Sequence, residues 1–197
     1  MFPLGIVHFP FVPLPLQVFE PRYRQLTIDC LDGSREFGVV LIERGSEVGG
    51  GDQRFAVGTM TVIVDAGFND MGMIRLDTVG VRRVQITEWL ADDPYPRAIV
   101  EDLPAATPAD TAGFGATEVK VRRALALRAE LNEVAVPFNI ALDPDPTRSM
   151  YQLAAIAPIG PADKQSLLAA APAAMLGLLD GLIDEELDVL ASRLAGH

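Results

Sequence analysis

Very few side chains in this sequence are of the types that catalyse reactions at neutral pH. The imidazoles are His8 and His197, and the one thiol is Cys30. A thiolate is a strong nucleophile when a base or a helix N-terminus lowers its pKa, and an imidazole is the usual general base. Cys30, however, falls on the apolar side of a predicted helix, and His8 lies among apolar residues. We therefore expect both to be packing residues, and we expect no catalytic residue.

Three other patterns come close to known sites without meeting their chemical requirements. The glycine-rich segment 45–52 ends in Asp52, whereas a phosphate-binding loop needs a lysine followed by serine or threonine. No serine lies in a G-x-S-x-G or S-x-x-K pattern. Acidic clusters at 92–93, 101–102 and 184–188 lack the spacing of metal ligands. We expect no metal and no cofactor, and a hydrolase with paired carboxylates stays open because the sequence does not reveal which acids are neighbours.

The balance of charge narrows the classes of partner. The 197 residues include 27 acidic and 16 basic side chains, for a net charge of −11. Because nucleic-acid binding draws most of its affinity from lysines and arginines that neutralise phosphates, this balance disfavours it. Arginine pairs at 82–83 and 122–123 leave a local basic patch open. With one cysteine, no apolar run of about 20 residues and no leader pattern, we expect a cytoplasmic protein that does not contact membranes.

The first 103 residues are predicted to form a compact, mostly antiparallel sheet or barrel. Segments rich in β-branched residues are separated by turn residues, and they occupy positions 37–43, 57–68, 72–90 and 95–103. One helix interrupts them after Pro21, since proline is well suited to a first helical turn. Its predicted apolar face consists of Tyr23, Leu26, Cys30 and Leu31. We therefore expect a β subdomain over residues 1–103 with one inserted helix.

The period of the apolar residues changes after a linker rich in proline and small residues at 104–116. Residues 117–197 then show helical spacing, which predicts a small bundle and an α+β fold class. The predicted stripes are Ala124, Leu127, Leu131 and Val134 for a helix over 116–135; Met150, Leu153, Ala154 and Ala157 for one that starts near Thr147; and Met175, Leu178, Leu179, Leu182, Ile183, Leu187, Leu190 and Leu194 for one over about 172–193. Pro158 and Pro161 are expected to break the chain between the last two helices.

Apolar residues at predicted loops are the clearest candidate binding site. One group stands between prolines and the other surrounds a predicted turn, and together they are Phe9, Phe11, Val12, Phe68, Met71 and Met73. One interpretation is that they plug the ends of a small barrel. The other is that they form a contact surface for polypeptide, because methionine and aromatic side chains on adaptable loops suit loosely specified partners.

Several short segments, taken together, resemble the LON substrate-binding domain, the N-terminal domain of ATP-dependent Lon proteases. The most specific are Phe2-Pro3-Leu4, Leu14-Pro15-Leu16, Phe19-Glu20-Pro21-Arg22-Tyr23, the stretch "FGVVLI" at 37–42 and Val57-Gly58-Thr59. The resemblance extends over almost the whole chain. It implies a PUA-like β-barrel followed by a C-terminal helical bundle. It also implies that the strand at 14–18 runs directly into a helix, with Pro21 at the corner.

The resemblance implies a module that recognises other polypeptides. We expect a stand-alone, non-enzymatic form without the ATPase and protease modules of a full Lon protease. Its expected partners are unfolded or exposed polypeptide segments, together with a protease or a chaperone to which it would deliver them. The alternative is a binder of nucleic acid or modified nucleotides, since PUA-like barrels of other families bind RNA.

Overall fold

The protein's computed structural model divides the chain into two units, Met1–Leu103 and Pro104–His197. The described residues are 1–45, 51, 53–69, 72–133 and 136–195. Most of the glycine-rich segment 45–52 lies outside them, as do Met71, Val134 and His197. Within these ranges the first unit holds the β-strands and one helix, and the second is helical. The predicted α+β class is confirmed.

In the part of the first unit that the structure describes, the strands form one six-stranded sheet. Its strands are β1 (Phe2–Leu4), β2 (Pro13–Val18), β3 (Glu36–Arg44), β4 (Gln53–Phe68), β5 (Ile74–Leu90) and β6 (Arg97–Asp102). The order is β1-β3-β4-β5-β2, with β6 also paired to β5. The β1–β3 pair is parallel and the other pairs are antiparallel. Among the described strands β1 and β2 end the sheet and do not pair with each other, so hydrogen bonds do not close it into a barrel.

Strand β5 has 17 residues and organises this sheet. One of its edges pairs with β4, while the other pairs with β2 along its first part and with β6 along its last part. Alternate residues at its start, Ile74, Leu76 and Thr78, are buried, as expected for a strand with one face on the core. The shared strand thus fixes the positions of both β2 and β6.

Helix α1 (Pro21–Asp32) follows β2 almost directly, as the sequence predicted. Tyr23 and Leu26 are buried, and the Tyr23 ring stacks on Phe2 with ring centroids 4.2 Å apart. The predicted face was wrong at Leu31, whose side chain is 38% exposed. Thr27 is buried in its place, because its hydroxyl donates to the Tyr23 carbonyl oxygen at 2.9 Å and so carries no unpaired polar group into the core.

The described residues of the second unit form four α-helices. They are α2 (Phe114–Glu130), α3 (Pro146–Ile156), α4 (Pro161–Ala169) and α5 (Pro172–Ala195), preceded by a short 3-10 helix, Pro108–Thr111. Helix α4 was not predicted, since Pro161 was expected only to break the chain. Proline at the first position of a helix costs no hydrogen bond, and Pro161 occupies that position in α4.

The buried face of α2 differs from the predicted one, whereas that of α3 is confirmed. Met150, Leu153, Ala154 and Ala157 are all buried. In α2 the buried residues are Thr117, Val121, Ala124 and Leu125. Hydrogen bonds to α5 explain this difference. Thr117 donates to Asp180 of α5 at 2.9 Å, and Lys120 donates to the other oxygen of that carboxylate at 2.8 Å. These bonds turn the first half of α2 toward α5, and Leu131 lies beyond the end of the helix.

Gly80 of β5 lies where the chain segment that precedes β2 crosses the sheet. A Cβ atom at Gly80 would lie 2.3 Å from the Phe9 carbonyl oxygen and 3.0 Å from His8 Nε2. The backbones hold each other there, with Phe11 N donating to Gly80 O at 2.8 Å and Gly80 N donating to Val12 O at 3.1 Å. No side chain larger than hydrogen can be placed at this crossing without moving backbone.

We expect Gly80→Ala to destabilise the first unit by about 1–3 kcal/mol or more, because the added methyl group would overpack a contact made by backbone. Gly67→Ala is the control: it lies in the neighbouring strand β4, and a Cβ there would meet nothing within 4 Å. Denaturant titration of both variants measures the difference. Equal stabilities would contradict the close approach.

We expect Leu179→Ala to lower the free energy of unfolding of the helical unit by about 2–5 kcal/mol, because it leaves a cavity beside α5. Leu179 is fully buried, whereas Val189 on the same helix is 53% exposed. Val189→Ala should therefore change stability by less than about 0.5 kcal/mol. Chemical denaturation followed by circular dichroism tests the pair, and a small effect at Leu179 would place that face in solvent.

Candidate functional site

The six predicted contact residues separate into a buried group and an exposed one. Phe9 is fully buried, which removes it from any surface that a partner could reach. Phe11 and Val12 are half-buried, and their backbones bond to Gly80. Phe68, by contrast, is 73% exposed. Met73 is half-buried, and Met71 lies outside the described residues.

The segment around Phe9 is the part of the chain that crosses the sheet before β2, and its contacts are structural. Thr59, which is buried in β4, donates its hydroxyl to the His8 carbonyl oxygen at 2.6 Å. Phe11 has a left-handed backbone with φ of 61°, an unusual conformation for a bulky residue that a tight chain reversal imposes. Residues 8–12 are therefore fixed against the sheet by both neighbouring strands, and a partner finds little free backbone there.

The β4–β5 turn carries the most exposed aromatic residue of the first unit. Asn69 closes this turn, because its side-chain oxygen accepts from Met73 N at 2.9 Å and its own N donates to Met73 O at 3.0 Å. Phe68 pairs with Ile74, and Ile74 pairs with Val18 of β2. Phe68 thus stands in the same row as two core residues, yet it is the last residue of β4 and its side chain is exposed.

Phe19 is a second exposed aromatic residue at this end of the sheet, and the sequence reasoning missed it. It directly follows Val18 and is 56% exposed. The alternation of β2 could have revealed it, because Pro13, Pro15 and Gln17 are exposed while Leu14, Leu16 and Val18 are buried, and Phe19 continues the exposed set. We name Phe19, Phe68 and Met73, which lie at this end of the sheet but on both of its faces, the hairpin-end surface.

A narrow cleft of about 160 Å³ borders β2 on the side of β1. Its lining includes Phe2 and Leu4 from β1, Leu16 from β2, Phe19 directly after β2, and Tyr23 from α1. The cleft lies between the two strands that end the sheet. It is smaller than the roughly 300–1,000 Å³ of ordinary small-molecule pockets.

A basic patch suited to phosphates is not formed by the arginine pair at 82–83. Arg82 bonds to Glu36 at 2.9 Å and to Asp102 at 2.9 Å, and these carboxylates raise the pKa of its guanidinium. Arg83 is buried, with 3% of its surface exposed. In the second pair, Arg122 binds Glu118 and the carbonyl oxygens of the loop that follows α2. The charges of Arg82 and Arg122 are thus engaged by partners within the protein, whereas Arg123 is exposed.

The two candidate reactive residues lie in surroundings that suppress reactivity. The Cys30 thiol is half-buried and donates to the Glu36 carbonyl oxygen at 3.3 Å, and burial raises its pKa. His8 is buried, and desolvation lowers its pKa to about 4, so the imidazole is neutral at pH 7. In the part of the chain that the structure describes, no three His, Cys, Asp or Glu side chains are grouped so that they could hold a metal ion.

Comparison with known proteins identifies relatives along most of the chain. Residues 1–174 match the family model described as "ATP-dependent protease La (LON) substrate-binding domain". The crystal structure of a Lon N-terminal domain protein from Xanthomonas campestris is similar, with a TM-score of 0.63, 25% identity, and coverage of 90% of this chain and 94% of that one. The N-terminal domain of Mycobacterium avium complex Lon protease has the same fold, with a TM-score of 0.62, 17% identity, and coverage of 92% and 96%. Across the described residues, no helix has the length and apolar character that crossing a membrane requires.

The buried, neutral His8 predicts a specific dependence of stability on pH. Its pKa falls from the ordinary 6.5 to about 4 on folding. At pH values between these two, His8 is protonated in the unfolded chain and neutral in the folded chain. The free energy of unfolding should therefore decrease as pH falls from 7 to 4, by about 3 kcal/mol from this residue alone.

The variant His8→Gln isolates this contribution, because glutamine does not titrate in this range. Between pH 7 and pH 4 we expect the free energy of unfolding of the native protein to fall by that amount more than the free energy of unfolding of the variant. Denaturant titrations at several pH values measure it. Parallel curves for the two proteins would place the imidazole in contact with water.

Proposed function

The chain belongs to the family of LON substrate-binding domains, and we propose that it is a non-enzymatic module that binds exposed or unfolded segments of other polypeptides. The observation that carries this proposal is the exposure of Phe68, 73% in solvent at a turn closed by its own hydrogen bonds. An aromatic side chain exposed to this degree is ready to bury its apolar surface against a partner. Phe19, 56% exposed, adds to the same end of the sheet.

The chemistry of the hairpin-end surface suits partners that share apolar character rather than one sequence. Phe19 and Phe68 can bury large rings at little cost in conformational entropy, since each has only two side-chain torsions. The flexible Met73 can adapt its shape to different side chains. Unfolded proteins expose apolar residues in many contexts, so a surface of this kind recognises the unfolded state as a class.

A binding role is further supported by the chemical state of the reactive residues. The thiol of Cys30 and the imidazole of His8 are both neutral and packed against the protein, so neither is placed to attack a substrate. The bound segments would be passed to a partner, for which a protease or a chaperone is our expectation. We place this activity in the cytoplasm, where the single cysteine would remain reduced.

We expect Phe68→Ser to weaken binding to a reduced, carboxymethylated model protein by about tenfold or more, as for a central aromatic contact, while stability changes by less than about 0.5 kcal/mol. Fluorescence anisotropy measures binding, and thermal unfolding measures stability. The matched control is Ile99→Ser, which removes a 48% exposed apolar residue from β6 and should leave binding unchanged.

A salt series separates this proposal from nucleic-acid binding. Apolar capture should vary little between 50 and 200 mM salt, whereas binding that neutralises six or more phosphates would fall by about a thousandfold over this range. Unchanged binding by a stable Phe68→Ser protein would rule out the hairpin end as the contact. Steep salt dependence would rule out apolar capture as its basis.

A further inference from the structure

The outer edge of β2 is a strand edge with an unusual pattern of hydrogen-bonding groups. The carbonyl oxygen of Val12 accepts from Gly80 N, and that of Leu14 accepts from the Thr78 hydroxyl at 2.6 Å. Both oxygens therefore face β5. Because backbone groups alternate along a strand, Leu14, Leu16 and Val18 direct their polar groups into the β5 ladder, and the residues between them direct theirs outward.

The residues that face outward are Pro13, Pro15 and Gln17, all of them exposed. Their three carbonyl oxygens point away from the sheet, but proline has no N–H, so Gln17 is the only one of the three that can donate. Proline is tolerated on an edge strand in this arrangement, with its nitrogen on the solvent side. The edge thus offers three acceptors and a single donor.

This pattern decides which chain can occupy the edge. If a second copy paired through its own β2, carbonyl oxygens of one copy would face proline nitrogens of the other, which carry no hydrogen, so neither edge could supply the missing donors. A ladder forms only with a strand that brings free N–H groups of its own. An extended segment of an unfolded polypeptide has such groups at every residue that is not proline.

Apolar surface lies on both sides of this edge. Toward β1 is the cleft of about 160 Å³ lined by Phe2, Leu4, Leu16 and Tyr23. On the opposite face is a shallow apolar depression that includes Pro13, Pro15 and Val64, and Val64 is 61% exposed. A strand beside β2 would direct alternate side chains to these two surfaces.

We propose that one extended segment of a bound polypeptide adds to the outer edge of β2 as an extra strand, donating its N–H groups to the carbonyl oxygens of Pro13, Pro15 and Gln17. This inference rests on the proposed function and names the form in which the substrate binds. The segment carries an apolar residue at every second position, one of which enters the cleft beside β1. The hairpin-end surface, which begins at Phe19, continues from the end of the same strand.

The test uses the whole protein and a peptide of roughly six to nine residues, chosen from an array of the same carboxymethylated model protein. Two N-methylated forms are made, one with methyl groups on the odd-numbered amides and the other on the even-numbered amides. In a strand only one of these sets faces β2. We expect one form to bind about tenfold more weakly or worse, because it loses several hydrogen bonds, and the other to bind within about threefold of the unmodified peptide.

Hydrogen exchange at single residues gives a second measurement. The Gln17 amide should exchange rapidly in the free protein and be protected by at least about tenfold at saturating peptide, as for an amide that enters a ladder. The Leu16 amide, which already faces β5, is the internal control and should be protected in both states. An unprotected Gln17 amide in the complex would overturn the proposal.

The outcomes distinguish a failure of strand addition at β2 from a failure of polypeptide binding itself. Binding that is equally sensitive, or equally insensitive, to both methylation patterns overturns edge addition and leaves polypeptide binding intact. Absence of binding by every array peptide and by the unfolded model protein overturns both proposals. A peptide-free dimer in sedimentation that protects the Gln17 amide would make a second copy the occupant and overturn the proposal as well.

Discussion

The close contact between Gly80 and the backbone of Phe9 is the constraint on which the first unit depends. The crossing chain lies so near β5 that a Cβ would sit 2.3 Å from a carbonyl oxygen. Reciprocal hydrogen bonds join Gly80 to the chain on either side of the turn at Phe11. This contact delivers Pro13 to β5 in a single register, and that register places Leu14, Leu16 and Val18 in the core. The buried, uncharged His8 lies beside the same crossing, so lowering the pH should destabilise the fold at this point.

The properties of the candidate binding surface follow from that register. Since β2 pairs with the first part of β5 and with no other described strand, its other edge ends the sheet, and its prolines remove donors from that edge. The row from Val18 through Ile74 to Phe68 then brings Phe19 and Phe68 to one end of the sheet. The edge, the cleft and the exposed aromatics are thus neighbours because one strand positions them. In this account a bound segment is held by its backbone and chosen by its apolar side chains.

The helical unit illustrates where periodicity is a sufficient guide and where it is not. In α3 the apolar stripe is confirmed, and the Ser149 hydroxyl that is buried beside it donates within its own helix, to the Pro146 carbonyl oxygen at 3.1 Å, so it needs no partner on another helix. In α2 an aliphatic stripe through Leu127 was wrong, since Thr117 and Lys120 bond to Asp180, which lies more than 50 residues away in sequence. The Thr117 hydroxyl is buried and finds its acceptor in Asp180, so this face leaves no unpaired hydroxyl in the core, and an unpaired buried hydroxyl would be costly. Only the pairing of the two helices reveals that partner.

The sequence by itself determined most of the elements, the α+β class, the family and the scarcity of reactive side chains, because these depend on local periodicity, short motifs, turn residues and composition. It also identified Phe68 as a candidate contact, since an aromatic residue beside a turn has few routes to the core. The tertiary structure alone decided that Phe9 is buried, that Phe19 is exposed, that β2 is an edge strand and that its prolines face outward. Each of these depends on which strands become neighbours, and strand neighbours are joined by contacts between residues far apart in the chain. Local patterns carry little information about such contacts, so burial and edge position were settled only when the sheet was assembled.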